Sequence, residues 1–342
     1  MRDILEDVTR WTEQGKAIAL ATVVQTWGSS PRQEGAKMAI SEGGEIAGSV
    51  SGGCVESAVA ETGLQALKSG LPQLVHFGVA DETAWSVGLA CGGSLDIFVE
   101  RLDTEQFKFL RELLINEEPA ASVTVVSGPE AALGSKLTLN LDEPSARYGS
   151  LSSGSDEQTV EMAHQVTEPS LLDLEAEGVQ AFIDLMLPPP TLVVVGGNQI
   201  AITLSSLAKT MAMRTVIVDP RRAFATEERF PEVDQLIQTW PAEAFETVPL
   251  TETTAVVMLT HDPKIDEPAL ELALTSPAFY IGALGSKRTQ AKRRERLGER
   301  GLTEAELDRL HGPVGLKLGA DTPDEIALSI MAEIVATRHS IA

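Results

Sequence analysis

The segment TLVVVGG, residues 191–197, constrains the fold of this chain more than any other. Its apolar residues run without alternation, as a strand buried on both faces requires, and paired glycines end it. A helical pattern follows over 199–212, then the strand TVIVDP (215–220). AVVMLTHD (255–262) and AFYIGALGS (278–286) read as further buried strands. This β-α-β alternation predicts a Rossmann-like, doubly wound parallel sheet over residues 188–342. Pro188-Pro189-Pro190 is a stiff punctuation mark and sets its boundary. Thr322-Pro323-Asp324-Glu325 offers an N-cap, a proline at the first helical position and acids in the first turn, so a last helix begins there.

A dinucleotide-binding turn needs one glycine for the tight turn, a second for close approach to pyrophosphate and a third small residue for packing. Gly196 and Ala201 fit the first and third places, but Asn198 stands at the second, where its side chain would crowd a pyrophosphate. Asp219 follows 23 residues after Gly196, near the spacing of a ribose-binding acid. The pattern therefore supports the fold strongly and NAD(P) weakly. Ligands of such sheets collect beyond the carboxyl ends of the strands. There the sequence puts Asp219, Arg221 and Arg222, then His261 and Asp262, then Gly285, Ser286, Lys287 and Arg288. Ser286 opens a helix, so free N–H groups and two cations coincide in a candidate phosphate site. The basic run through Arg300 also reads as a solvated helix face. His261 and Asp262 suit either acid–base chemistry or loop capping.

Upstream the pattern changes to a mixed α+β domain over residues 1–102. Residues 2–15 read as an amphipathic helix, 17–27 as a strand and GSSPRQEG (28–35) as a loop. Residues 36–41 and 45–50 form a hairpin, Glu56–Ser69 a helix, and 74–80 and 94–102 further strands. Residues 103–187 read as a variable connecting region that packs with this domain, with a helix over 104–118 and strands over 121–128 and 135–141. Within it, the polar, Ser/Gly-rich stretch 142–158 reads as an exposed loop.

The formal net charge of −23 opposes sequence-independent binding to nucleic acid. No run of about 18 apolar residues predicts a membrane span, and acids stand where a signal peptide would be apolar. Two cysteines in 342 residues, with no export signal, fit a reducing cytoplasm and leave no Cys-rich zinc site. Both cysteines sit beside paired glycines: Cys54 after Gly52-Gly53 and before the helix at Glu56, and Cys91 before Gly92-Gly93. A thiol near a helix start is nucleophilic, and glycines allow close approach. From residue types alone, two small buried hydrophobes beside turns are the favoured reading. Arg32 lies in a Gly/Ser loop suited to an anion.

Read in order, TWGSSPRQEGAKM (26–38), GSVSGGCVE (48–56), GLACGGSLDIFVE (88–100), VDPRRAFATEERFP (218–231), MLTHD (258–262), YIGALGSKRT (280–289) and LHGPVGLKLGADTPDEIALSIMAEIVA (310–336) resemble the XdhC/CoxI family. Those proteins are maturation factors for molybdenum enzymes of the xanthine dehydrogenase class. The resemblance implies a cytoplasmic chaperone rather than a turnover enzyme, with no catalytic residue assigned and the metal ligands open. Its cargo would be the molybdenum cofactor, as molybdopterin or its dinucleotide form. It would guard the sulfurated cofactor and hand it to an apo-molybdoenzyme. A cysteine desulfurase is an expected partner, and a homodimer the expected assembly. The resemblance carries Cys54, Cys91 and Arg32, with Gly52, Gly53 and Gly92, into a ligand cleft. The family's turn often reads G-A-G-H or G-A-G-P; here it is G-G-N-Q, which weighs against a nucleotide role for this domain. The alternatives are an NAD(P)-dependent oxidoreductase resting on Gly196, Ala201 and Asp219, and a nucleotide-responsive binding protein without metal.

Overall fold

The computed structural model describes residues 1–28, 32–78, 93–151, 156–174 and 178–339. They form two compact units, Met1–Pro188 and the residues from Pro189 onward.

In the first unit a short turn, Arg2–Ile4, leads into α1 (Leu5–Glu13), which buries Val8 and Trp11. β1 (Ile18–Trp27), β2 (Lys37–Ser41), β3 (Ile46–Gly48), α2 (Glu56–Ser69), β4 (Gln73–Phe77) and β5 (Ser94–Arg101) follow. The strands make one antiparallel sheet, β3-β2-β1-β5-β4. α2 packs Val59 and Ala66 onto the face that carries Ala19, Ala21, Val23, Ile40 and Ile97. α3 (Thr104–Ile115) begins where Asp103 accepts from the Glu105 and Gln106 amides. β6 (Ala120–Ser127), β7 (Lys136–Asn140), β8 (Arg147–Ser150), α4 (Asp156–Gln165), β9 (Ser170–Asp173) and β10 (Gln180–Met186) complete the unit. Their sheet is also antiparallel, in the order β8-β7-β6-β10-β9.

The stretch 142–158 is thus not a plain loop: it contains β8 and the start of α4. All four residues of β8 are exposed. Polar residues on an exposed edge strand discourage further strand pairing, and the same polarity hides the strand from a reading of hydrophobic pattern.

Val24 and Phe98 of the first sheet meet Val126 and Phe182 of the second. Beside this apolar contact the interface is charged. Lys37 of β2 lies 2.8 Å from Asp184 of β10 and donates to Thr22. Lys136 of β7 pairs with Glu100 of β5. Both pairs line a partly open cavity of about 40 Å³, with Gln106, Ser122 and Thr138. A polar cavity of that size has room for water.

The second unit is the parallel sheet that the sequence predicts. It runs β11 (Thr191–Val195), α5 (Gln199–Thr210), β12 (Arg214–Val218), β13 (Gln235–Ile237), α6 (Pro241–Thr247), β14 (Thr254–Met258), α7 (Pro263–Thr275), β15 (Tyr280–Ala283), α8 (Lys287–Glu299), α9 (Glu304–Asp308), β16 (Leu310–His311) and α10 (Pro323–Arg338). The strand order β13-β12-β11-β14-β15-β16 is the 3-2-1-4-5-6 order of dinucleotide-binding folds. The unbroken apolar run of β11 has a direct cause. Leu192 and Val194 pack with Leu204 of α5 and Ile330 of α10, whereas Val193 and Val195 pack with Leu270 and Leu274 of α7. Thr322 caps α10 through a capping box with Glu325, with Pro323 in the first turn. Among the described residues, no helix is long and apolar enough to cross a membrane.

A buried ion pair is costly to break from one side and cheap to replace as a whole. Lys37→Met should destabilise the protein by about 3 kcal/mol or more, because buried Asp184 loses the ammonium that pairs with it. Lys37→Met combined with Asp184→Leu should recover most of that loss; urea unfolding of the two variants measures both.

Candidate functional site

One end of the first sheet gathers the segments singled out in the sequence. β1 leaves at Trp27, β2 enters at Lys37, β3 leaves at Gly48, β4 leaves at Phe77 and β5 enters at Ser94. The antiparallel registers Thr22↔Lys37, Met38↔Gly48, Trp27↔Ser94 and Phe77↔Leu95 put all five at the same end. The connection that holds Arg32 and the connection that holds Cys54 therefore start from one edge. Gly78 and Gly93, which flank the segment with Cys91, lie at that edge too. Cys91 and Gly92 themselves lie outside the described residues, as do residues 29–31.

The Arg32 and Cys54 connections touch. Arg32 donates through Nε to the Ser49 carbonyl at 3.0 Å and through Nη2 to Asp3 at 3.1 Å. Its own loop is pinned by Glu34, which accepts from the amide and the hydroxyl of Thr26.

The Cys54 loop is organised around Glu56, the first residue of α2. Its carboxylate accepts from the hydroxyls of Ser49 and Ser51 and from the amides of Val50, Ser51 and Gly53. The hydroxyl of buried Ser51 accepts from the amides of Cys54 and Val55, and that of Ser49 from the amide of Gly52. Every backbone amide from residue 50 to 55 thus has a side-chain acceptor. Burial alone would push the Glu56 carboxyl up; the hydrogen bonds from Ser49, Ser51 and the loop amides outweigh it and hold the group at about 2. The loop is an anion nest whose anion is built in. Its amides are not available to cradle a phosphate.

The outer side of the loop is what remains for a ligand. Gly52 and Gly53 are exposed and Cys54 is a half-buried free thiol. Gly53 has φ 118°, and a Cβ built there would meet no described residue within 4 Å. Behind, Cys54 packs against the core of the sheet and α2. It is therefore both a core residue and a surface thiol. Among the described residues, no group of three His, Cys, Asp or Glu side chains is placed to hold a metal ion.

In the second unit the switch point of the sheet lies between β11 and β14, and the chain itself fills it. Asn198 accepts from the Ala201 amide and donates to the Leu259 carbonyl, so its side chain joins the start of α5 to the end of β14. A Cβ on Gly197 would lie 2.4 Å from the Phe224 carbonyl oxygen, so the chain closes over this turn. Asp219 is fully buried. It accepts from the Gly197 amide and from the Arg221 amide, Nε and Nη2. Burial opposes its charge, but the bonds from Arg221 and Gly197 prevail and hold its carboxyl below the usual range. The Arg221 guanidinium also stacks on Phe224, 4.1 Å from the ring centre. A ribose hydroxyl would have to displace Arg221 to reach Asp219.

Asp262 caps α7 by accepting from the Lys264 amide, while His261 is exposed and left-handed at φ 61°. Ser286 caps α8 through the Thr289 amide, with Lys287 and Arg288 exposed in its first turn. Sequence reasoning missed Glu56, Ser49, Ser51 and Asp3 as parts of the site. Glu56 reads as an ordinary acid in a first helical turn. The one signal for its role is its place just after a serine-flanked glycine pair.

Two family models match the chain. The one described as the XdhC Rossmann domain matches residues 192–334, and the one described as the XdhC and CoxI family matches residues 11–78. A protein of Bacillus subtilis (strain 168), named as a probable subunit of xanthine dehydrogenase, is 29% identical over 96% of both chains. The "Molybdenum cofactor insertion chaperone PaoD" of Escherichia coli (strain K12) is 27% identical over 98% of this chain and 88% of its own. A crystal structure of a xanthine dehydrogenase from Bacillus halodurans superposes with a TM-score of 0.81 at 26% identity, covering 99% of this chain and 96% of that one.

The Glu56 network makes a pH prediction. A carboxyl held below its usual value contributes stability above about pH 4.5, and that stability is lost as the pH falls toward 2. Glu56→Gln should be less stable at neutral pH by about 1–2 kcal/mol, the size of a lost helix cap. It should also lack the part of the acid loss between pH 4.5 and 2 that the wild type shows. Thermal unfolding of both proteins across that range checks it; parallel curves would count against the network.

Proposed function

The chain belongs to the XdhC and CoxI family, and from that premise we propose that it binds the molybdenum cofactor and inserts it into a molybdoenzyme. The function in PaoD's name supports this reading, as does a match that runs through nearly the whole of both chains. The observation in the molecule that carries it is the sheet edge where an exposed glycine pair, a half-buried thiol and an arginine lie in touching loops.

The cofactor presents a dithiolene-bound metal and a phosphate. Cys54 suits the metal or its sulfur, and Gly52 and Gly53 leave room for the approach. The saturated amides of the loop leave the phosphate to side chains. Arg32 is the group for it in the first unit, where an anion would compete with half-exposed Asp3 for the guanidinium. Ser286, Lys287 and Arg288 are the corresponding group in the second unit. Cys91 and Gly92, outside the described residues, are proposed as further contacts to the same cargo.

We assign the cargo as the sulfurated cofactor, with a cysteine desulfurase as sulfur donor and an apo-enzyme of the xanthine dehydrogenase class as client, in the cytoplasm and as a homodimer. The name of the Bacillus subtilis relative supports the client class. The NAD(P) reading through Gly196 and Asp219 is the weaker one, because Asn198, Phe224 and Arg221 occupy the positions a dinucleotide needs.

The purified protein should retain molybdenum and pterin after incubation with the cofactor and gel filtration. Cys54→Ser and Cys91→Ser should each lower retention several-fold, and the double variant should lose most of it, with circular dichroism unchanged. Retention equal to wild type in the double variant would remove both cysteines from the site.

A further inference from the structure

A second group of side chains at the same end of the first sheet was not marked by the sequence. His76 and Asp96 are direct cross-strand partners on β4 and β5. The His76 Nδ1–H donates to Asp96 Oδ1 at 2.6 Å. An ionised carboxylate only accepts, so the ring is fixed in orientation and in the place of its Nδ1 proton. Nε2 has no hydrogen-bond partner among the described residues, and the side chain as a whole is exposed. Nε2 faces Gly78, where a Cβ would stand 2.8 Å from it. A side chain at 78 would crowd that nitrogen unless the imidazole shifted.

The last residue of β1 completes the group. The Trp27 ring lies 5.9 Å from the His76 ring at an interplanar angle of 61°. Both are exposed: Trp27 is 43% accessible, and the His76 side chain 56%. Neither joins the apolar clusters of the unit. A cross-strand pair that only stabilised the sheet would need no open nitrogen and no large indole in water.

We propose that Trp27 and His76, the latter positioned by Asp96, form a subsite for a planar fused pyrimidinone heterocycle, and that its occupant is the pterin ring of the cofactor. This rests on the cofactor-binding reading above and gives the ring its seat. Two aromatic planes that meet steeply make a corner. A flat heterocycle stacks on the indole face and turns its edge, which alternates donors and acceptors, toward Nε2. Asp96 does not touch the ring in this arrangement; it keeps the imidazole aimed. A guanine base shares much of that edge, so guanosine monophosphate is the discriminating competitor.

The test is calorimetric titration of the full chain with neopterin and, separately, with guanosine monophosphate. Neopterin should bind the wild type more tightly than the nucleotide. Trp27→Ala and His76→Ala should each weaken it by about tenfold, the effect of losing a stacking or edge contact. Trp27→Phe should keep most of the affinity, and Asp96→Asn should lower it by a smaller factor than His76→Ala. None of these variants alters the apolar core, and unchanged circular dichroism verifies this. Neopterin affinity unchanged in Trp27→Ala and His76→Ala overturns the subsite. So does a wild type that ignores neopterin at millimolar concentration, and so does tighter binding of the nucleotide. Molybdenum content after cofactor loading is read on the same preparations. A protein that retains molybdenum but not neopterin loses the subsite and keeps the insertion role. A protein that binds neopterin through Trp27 but retains no molybdenum keeps the subsite and loses that role.

Discussion

The geometry of the first unit's site depends on one carboxylate. A loop of six residues with two glycines has many conformations, and ordering it is entropically expensive. Glu56 and the two serines it engages provide acceptors for six consecutive amides. That fixes the loop while leaving Gly52 and Gly53 exposed. The two glycines then stand in a set position with Cys54 half-buried behind them, and the Ser49 carbonyl holds Arg32. A phosphate-binding loop uses the same amide-rich geometry but leaves it empty for the ligand. Here the internal anion removes that use and leaves the thiol, the open glycines and the arginine as the points of recognition.

The second unit repeats the theme with different residues. Its strand order creates a switch point, the usual place for a dinucleotide. Asn198 takes both an amide at the helix start and a carbonyl across the crevice, and Asp219 is consumed by Gly197 and Arg221. The fold is that of a nucleotide-binding domain, while its turn is satisfied from within. Fold and function separate here at a few side chains, so function is decided at the site and not by the strand order.

The sequence revealed the elements whose burial is two-sided or whose ends are chemically marked. β11 could be read because both of its faces pack, α8 and α10 because Ser286 and Thr322 cap them. β13 and β16, of three and two residues, are too short to carry a period. β8 was hidden by its polar edge. Of the candidate site, Arg32 and Cys54 could be singled out by residue type and glycine context, but their adjacency could not. It follows from the strand registers, and no local pattern encodes register. Lys37 shows the same limit from the other side. A lysine between Ala36 and Met38 reads as a surface residue, yet it is buried because Asp184, 147 positions along the chain, meets it between the sheets. His76 and Asp96 are 20 residues apart and become a pair only when β4 and β5 align.

A carrier that must give up its cargo works under a constraint opposite to that of an enzyme that keeps a cofactor. Handover requires the client to bind the same group more tightly, and each factor of ten in that difference is about 1.4 kcal/mol. A client would have to overcome a full amide cradle and a crevice that encloses the cargo if the carrier supplied them. The features seen here lower that requirement. The amides of the Cys54 loop are already bonded to Glu56 and its serines, and the side chain of Asn198 already fills the switch-point crevice. What the proposed seat offers instead is a set of exposed contacts around one sheet edge: a thiol, a guanidinium and an aromatic corner. Each can be released singly from the outer side. A seat of that kind can orient a cofactor and shield its reactive edge, yet leave the opposite face open to the protein that receives it.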